Sequence, residues 1–127
     1  THCLQPGFKG LIETHDIIRH IISHKAERQC LLMITDQRPY YGTRCSMTVN
    51  FFGREVHTMD GGAAIACKFG WPVLYVHMHR KAEGYEVTYT PMEGSTPEAL
   101  MTQYYRLLEE DINQNPSTYL WSHNRWK

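Results

Sequence analysis

Histidine offers the most chemistry in this sequence, because eight histidines occur among 127 residues. His20 and His24 are four residues apart, a spacing that places two imidazoles on one side of a helix, and His77 and His79 share one face of a strand. Such pairs can bind a metal ion, but structural zinc sites usually include cysteine pairs or carboxylates, and the chain has no HExxH motif. We therefore expect no metal site and no cofactor, with His20 and His24 on the solvated side of their helix.

Motifs for nucleophilic catalysis and for phosphate binding are weak or missing. The chain has no GxSxG elbow, and the dipeptide Gly61-Gly62 is by itself weak evidence for a phosphate loop. Four cysteines occur singly, without a CxxC pair: Cys3, Cys30, Cys45 and Cys67. This usage predicts reduced thiols and a cytoplasmic setting.

The loop that begins at Asp36 is the most informative segment. It follows the apolar run 30–35, which predicts a strand buried on both faces, and in open α/β sheets ligands gather beyond the carboxyl ends of strands. Arg38 and Arg44 lie in this loop, and the planar guanidinium of arginine suits phosphate or carboxylate. An exposed polar loop, in which Asp36 caps backbone amides, explains the same residues equally well. The residue types alone leave both interpretations open.

Apolar periodicity predicts the elements that would position these residues. Helices are predicted at 14–28, at 63–69 after Gly61-Gly62, and from 97 to about 115. Strands are predicted at 30–35, 46–52, 72–79 and 85–90. This order predicts an α/β fold, a mixed sheet flanked by helices, in a single domain over residues 1–127.

Charge and hydropathy exclude two classes of protein. Thirteen Lys and Arg balance thirteen Asp and Glu, so a nucleic-acid partner is not expected. No run of 18 apolar residues occurs, so no segment of this sequence is expected to span a membrane. The first residue is Thr1 and no signal peptide is visible, which suggests a fragment of a longer protein.

Three segments resemble the lauroyl/myristoyl acyltransferases of lipid A biosynthesis. They are the pattern of Asp36, Gln37 and Gly42 followed by Phe51-Phe52-Gly53, the stretch AAIACKFGWPVLYV after Gly61-Gly62, and the tail YLWSHNRWK. The segments keep the order and spacing of that family from about residue 12 to residue 127, and the tail is the most specific of them. The resemblance implies the C-terminal part of a lysophospholipid-acyltransferase-like fold.

The resemblance also implies an activity and a place in the cell. Members transfer a fatty acyl chain from acyl carrier protein to a hydroxyl of a lipid A precursor, without a metal, at the cytoplasmic face of the inner membrane. An N-terminal hydrophobic segment, which this chain lacks, holds them there. Their base is a histidine followed, after four intervening residues, by an acid. No histidine in this sequence has an acid at that position, so we expect a C-terminal fragment without the catalytic dyad.

Four residues are the candidates for substrate binding: Asp36, Arg38, Arg44 and Gly61. Arg44 matches a basic position of the family and is the best candidate for contact with a substrate phosphate or the developing oxyanion. The loop from Asp36 is about two residues longer than in proteobacterial members, and Asn50 stands where a proline often precedes the FFG motif. Leu120, Trp121 and Trp126 of the tail are expected to be buried.

Three alternatives remain open. The first is a non-catalytic module that binds acyl carrier protein or anionic lipid headgroups through its arginines and the terminal Lys127. The second is an acyltransferase that acts on another lipid acceptor, because one fold serves several acceptors. The third is a metal-binding domain built on the histidines.

Overall fold

The computed structural model of the chain describes residues 12–13, 15–39, 47–122 and 126. They fall into two compact units, one that extends to Leu32 and one that begins at Met33. Arg44, Cys3 and Cys45 lie outside the described residues. Among the described residues, no helix is both long and apolar enough to cross a membrane.

The first unit contains one short helix, α1 (Ile17–Ser23), with Ile21 buried. It is shorter than the predicted helix over 14–28, because the Gln29 side chain donates hydrogen bonds to the carbonyls of Ile21 and His24 and so closes its C-terminal end. His20 and His24 are both half-buried, with stacked rings 4.1 Å apart. The two histidines expected on the solvated side are therefore only partly exposed to solvent.

The apolar run 30–35 does not form the predicted strand. Residues 30–35 pair with no strand among the described residues, and Leu32 is 82% exposed. A continuous apolar run of this length cannot by itself distinguish a buried strand from other structures, so composition misled the prediction here. Asp36 therefore does not follow the carboxyl end of a strand.

The second unit contains two hairpins and two helices. Its elements are β1 (Thr48–Phe51), β2 (Arg54–His57), α2 (Gly61–Phe69), β3 (Val73–Lys81), β4 (Gly84–Met92), α3 (Pro97–Gln114) and a 3-10 turn (Pro116–Thr118). The α/β class is confirmed. The described strands pair as two antiparallel two-stranded sheets, β1–β2 and β3–β4, in place of one mixed sheet. Only two residues join β1 to β2, and only two join β3 to β4. Each pair is therefore antiparallel, because parallel strands need a much longer crossover.

The turn of the first hairpin explains part of the FFG motif. Phe51 is fully buried, whereas Phe52 and Gly53 have φ values of 50° and 75° and form the two-residue turn. Two consecutive positive φ values are typical of a type I′ hairpin turn, in which glycine is favoured. The backbone N–H of Gly53 also donates to the Asn50 side chain, at 2.9 Å.

Helix α3 forms the core together with the first hairpin. The Thr96 side chain caps it by accepting a hydrogen bond from the Ala99 N–H at 3.2 Å, and Pro97 occupies the first turn. Its buried residues are Leu100, Met101, Tyr105, Leu108 and Ile112. They pack with Val49, Phe51 and Val56 of the first hairpin and with Ala63 of α2. Helix α3 also contacts β3 and β4.

Two described residues of the aromatic tail, Tyr119 and Trp126, pack against this core. The Trp126 ring stacks on Phe51 with centroids 5.6 Å apart and planes inclined by 6°, and its indole N–H donates to the Phe51 carbonyl. Trp121 is 51% exposed and Leu120 is also exposed. The expectation of a buried tail therefore holds only for Trp126, which is half-buried, and is wrong for Leu120 and Trp121.

Candidate functional site

The face of β3 that meets α3 carries a cluster of polar side chains. Tyr75, His77 and His79 alternate along β3, so all three point to the same side of the strand. Asp111 reaches them from α3: His77 Nδ1 contacts its carboxylate, with side chains only 12% and 17% exposed, and the Tyr75 hydroxyl donates to the same oxygen. The His77 and His79 rings stack with centroids 3.6 Å apart.

Helix periodicity places Asp111 in this position. Asp111 lies between Leu108 and Ile112, two buried members of the apolar stripe, and therefore on the edge of the face that meets the core. Tyr104, two turns earlier on the same side, contacts the Tyr75 ring edge-on with centroids 5.4 Å apart. The aromatic contact and the carboxylate together fix the position of Tyr75.

Burial and negative charge keep the Tyr75 hydroxyl protonated. Burial is the largest cause that raises the pKa of Tyr75, and the hydrogen bond to Asp111 and the charge of that carboxylate raise it further. Burial also raises the pKa of Tyr119, to which the negative charge of Asp36 adds. The negative charge of Asp36 also makes the smallest of the contributions that raise the pKa of Tyr75.

The arrangement supports two kinds of chemistry. An imidazole in contact with a carboxylate is the usual arrangement of a general base and its orienting acid. A ring nitrogen of His77, a ring nitrogen of His79 and a carboxylate oxygen of Asp111 also lie within 4.8 Å of one another, close enough to be drawn onto one ion. Sequence reasoning found both histidines but missed Asp111, although an acid inside the apolar stripe of α3 was a usable signal.

The predicted substrate-binding residues lie in different environments. Asp36 and Arg38 are both half-buried, and the negative charge of Asp36 contributes to the raised pKa of Tyr75. Gly61 begins α2 and is exposed, and a Cβ built on it would meet no atom within 4 Å. Gly62 has less room: an added Cβ would lie 3.2 Å from the Met33 side chain, which would have to shift by a few tenths of an ångström. The roles of Asp36, Arg38, Arg44 and Gly61 stay predictions.

Two of the motifs noted in the sequence meet in space. Phe52, Arg54, Trp121 and Trp126 line a shallow pocket of about 200 Å³. The first two residues come from the β1–β2 hairpin and the last two from the tail, so the FFG segment and the YLWSHNRWK segment build one surface. Arg54 supplies a cation beside three aromatic rings.

Comparisons with known proteins extend over nearly the whole chain. A family model described as bacterial lipid A biosynthesis acyltransferase matches residues 7–127. The chain is 32% identical over 116 residues to the lipid A biosynthesis palmitoleoyltransferase of Escherichia coli (strain K12). It is similar to the same extent to the lipid A biosynthesis acyltransferase of Shigella flexneri. Each alignment covers 87% of this chain and 37% of the relative, so the chain spans little more than one third of the length of these curated relatives.

Proposed function

The chain belongs to the bacterial lipid A biosynthesis acyltransferase family, and on that basis we propose that it takes part in transferring a fatty acyl chain from acyl carrier protein to a hydroxyl of a lipid A precursor. The observation that carries this proposal is the family match over residues 7–127. The identity of 32% to a palmitoleoyltransferase supports a fatty acyl group as the transferred group.

The proposed reaction needs a base and a place for developing charge. A base takes the proton of the acceptor hydroxyl, and the oxygen attacks the thioester carbonyl as the C–O bond forms. The tetrahedral intermediate then breaks its C–S bond, and the thiol of the carrier protein leaves with a proton. Donors or cations near the carbonyl oxygen stabilise the intermediate.

We propose that the base is a histidine–acid dyad outside these 127 residues. No histidine here has an acid after four intervening residues, which is the spacing that the family resemblance requires. The His77–Asp111 contact is the alternative within the chain, because it brings an imidazole and a carboxylate together across β3 and α3. One experiment separates the two positions of the base.

The loop arginines are the proposed contacts to substrate. Arg38 and Arg44 offer bidentate donors for a phosphate of the acceptor or for the oxyanion, while Asp36 and Gly61 would help to position the acceptor. An acyl carrier protein thioester and a lipid A precursor are the partners of this proposal. The complete protein would act at the cytoplasmic face of the inner membrane, held there by a hydrophobic segment outside this chain.

The test compares the complete gene product with the 127-residue chain. Both are incubated with an acyl-acyl carrier protein and a lipid A precursor, and the acylated lipid is measured. We expect turnover by the complete product and none by the 127-residue chain, because the chain alone lacks the proposed base. Failure of the complete product with every acyl donor and lipid A precursor would overturn the proposed activity.

Variants of the isolated chain test the position of the base, and variants of the complete product test the substrate contacts. Turnover by the isolated chain that is lost in His77→Ala, but kept in His57→Ala, would place the base at His77 and overturn the external dyad. Arg44→Ala in the complete product should reduce turnover by about 10-fold to 1,000-fold, because it removes a charge-assisted contact. Near-normal turnover in that variant would show that Arg44 is not a substrate contact.

A further inference from the structure

We propose that His77, His79 and Asp111 bind one divalent transition-metal ion, for which zinc is the best match, in a site that leaves one coordination position open. Within the described part of the chain, these three residues form the one group of histidine, cysteine and acidic side chains with ligand atoms close enough for a shared ion. Two ligands come from β3 and the third from α3, so the ion would join the second hairpin to the helix.

The ligand set and its spacing fit zinc chemistry. Neutral imidazole nitrogens and a carboxylate oxygen are ordinary zinc ligands, and three protein ligands with an open fourth position form a common arrangement. Ligands about 2.1 Å from one ion in tetrahedral geometry lie about 3.4 Å apart. The three ligand atoms already lie within 4.8 Å of one another, so they would have to move closer by little more than about 1 Å to reach that spacing.

His79 is the member of the cluster that packing explains least. Asp111 contacts His77 and accepts a hydrogen bond from the Tyr75 hydroxyl. The ring nitrogens of His79, in contrast, form no hydrogen bond with any residue that the structure describes. A half-buried imidazole without a hydrogen-bond partner keeps a lone pair for a ligand bond. On binding, the two rings would turn out of their stack, so that one nitrogen of each points at the ion.

Tyr75 supplies the support that metal-binding carboxylates usually have. Its hydroxyl donates to Asp111, and hydrogen bonds of this kind orient metal ligands and tune their affinity. Tyr75 is therefore a positioning residue for the site, and its loss should weaken metal binding without removing a ligand.

The experiment uses the 127-residue chain, treated with a chelator and then titrated with Zn²⁺ and, for its visible absorption, with Co²⁺. We expect one ion per chain, a cobalt spectrum of nitrogen and oxygen ligands, and a rise in melting temperature of about 10 °C at zinc concentrations 100-fold above Kd. Asp111→Asn and His79→Gln should each remove this binding. Tyr75→Phe should weaken it by about 10-fold to 100-fold.

Matched controls separate this site from the other histidines. His57→Gln changes an exposed histidine of β2 and should leave binding unaltered, and so should His24→Gln at the C-terminal cap of α1. Circular dichroism of each variant shows whether it is folded. The proposal is overturned if the unaltered chain binds no stoichiometric ion, if folded His79→Gln keeps full affinity, or if His24→Gln removes the binding instead.

Discussion

The two hairpins of the second unit have opposite polarity where they meet α3. The β1–β2 hairpin buries apolar side chains against the helix, including Val49, Phe51 and Val56. The β3–β4 hairpin adds only the partly buried Val73 and Met92 to this core, and it presents Tyr75, His77 and His79 to the helix. Its opposite face is apolar and exposed, through Leu74, Val76, Met78, Tyr85, Val87 and Tyr89.

This difference separates the part of the unit that holds the fold from the part that is available for chemistry. Buried apolar area is the main stabilising contribution in folding, and the first hairpin provides it. A buried polar cluster costs free energy unless each group has a partner, so a hairpin that buries such a cluster is a candidate functional site. Contiguous exposed apolar residues of this kind are typical of a contact surface.

The largest expected effect is at the centre of the first hairpin. Phe51→Ala removes a fully buried ring that contacts Tyr105 and Trp126, and it should lower the free energy of unfolding by about 3–5 kcal/mol. Tyr89→Ala, at a residue 63% exposed on the second hairpin, should cost less than about 1 kcal/mol. Urea unfolding measures both, and equal costs would show that the hairpins contribute alike.

The two tail tryptophans test how far the core between the first hairpin and α3 extends. Trp126→Ala should cost about 2–3 kcal/mol, because Trp126 stacks on Phe51, whereas Trp121→Ala should cost less than about 1 kcal/mol. Differential scanning calorimetry compares the two melting temperatures. If Trp121→Ala melts at the lower temperature, the tail packs in a different way from the structure.

The polar face of the second hairpin should make the free energy of unfolding depend on pH. The pKa of Tyr75 is raised in the folded chain, so its contribution to stability is fully present below about pH 10 and is lost as the pH rises further. Above that pH the free energy of unfolding should fall more steeply in the unaltered chain than in Tyr75→Phe, by up to about 1 kcal/mol per pH unit. Tyr85→Phe, on the exposed face, is the control and should keep the steep fall.

The smallest effect on stability is expected on the apolar face of the second hairpin. Met78 is exposed and lies opposite Val87 in the register, so Met78→Lys should change the free energy of unfolding by less than about 0.5 kcal/mol. The same change should reduce self-association or detergent binding, because it interrupts the apolar patch. Analytical ultracentrifugation with and without detergent checks this. A monomer at all concentrations in the unaltered chain would contradict the assignment of a contact surface.

The sequence predicted elements well where a local signal was complete. Apolar spacing from residue 97 onward identified α3, and the segments 72–79 and 85–90 identified β3 and β4. The run at 30–35 misled because apolar composition does not reveal whether a partner strand is present. The candidate site was only half predicted, since the contact between His77 and Asp111 depends on how α3 packs on β3, which no local pattern encodes.

The stacking of Trp126 on Phe51 has a consequence for how the chain is made. The two residues are 75 positions apart, so at 5–20 residues per second Phe51 is synthesised about 4–15 s before Trp126 is added. The β1–β2 hairpin can form within about 10 µs, long before its ring is covered on that side. During translation this aromatic surface is therefore open to chaperones, and a ribosome that stalls before Trp126 would leave it open.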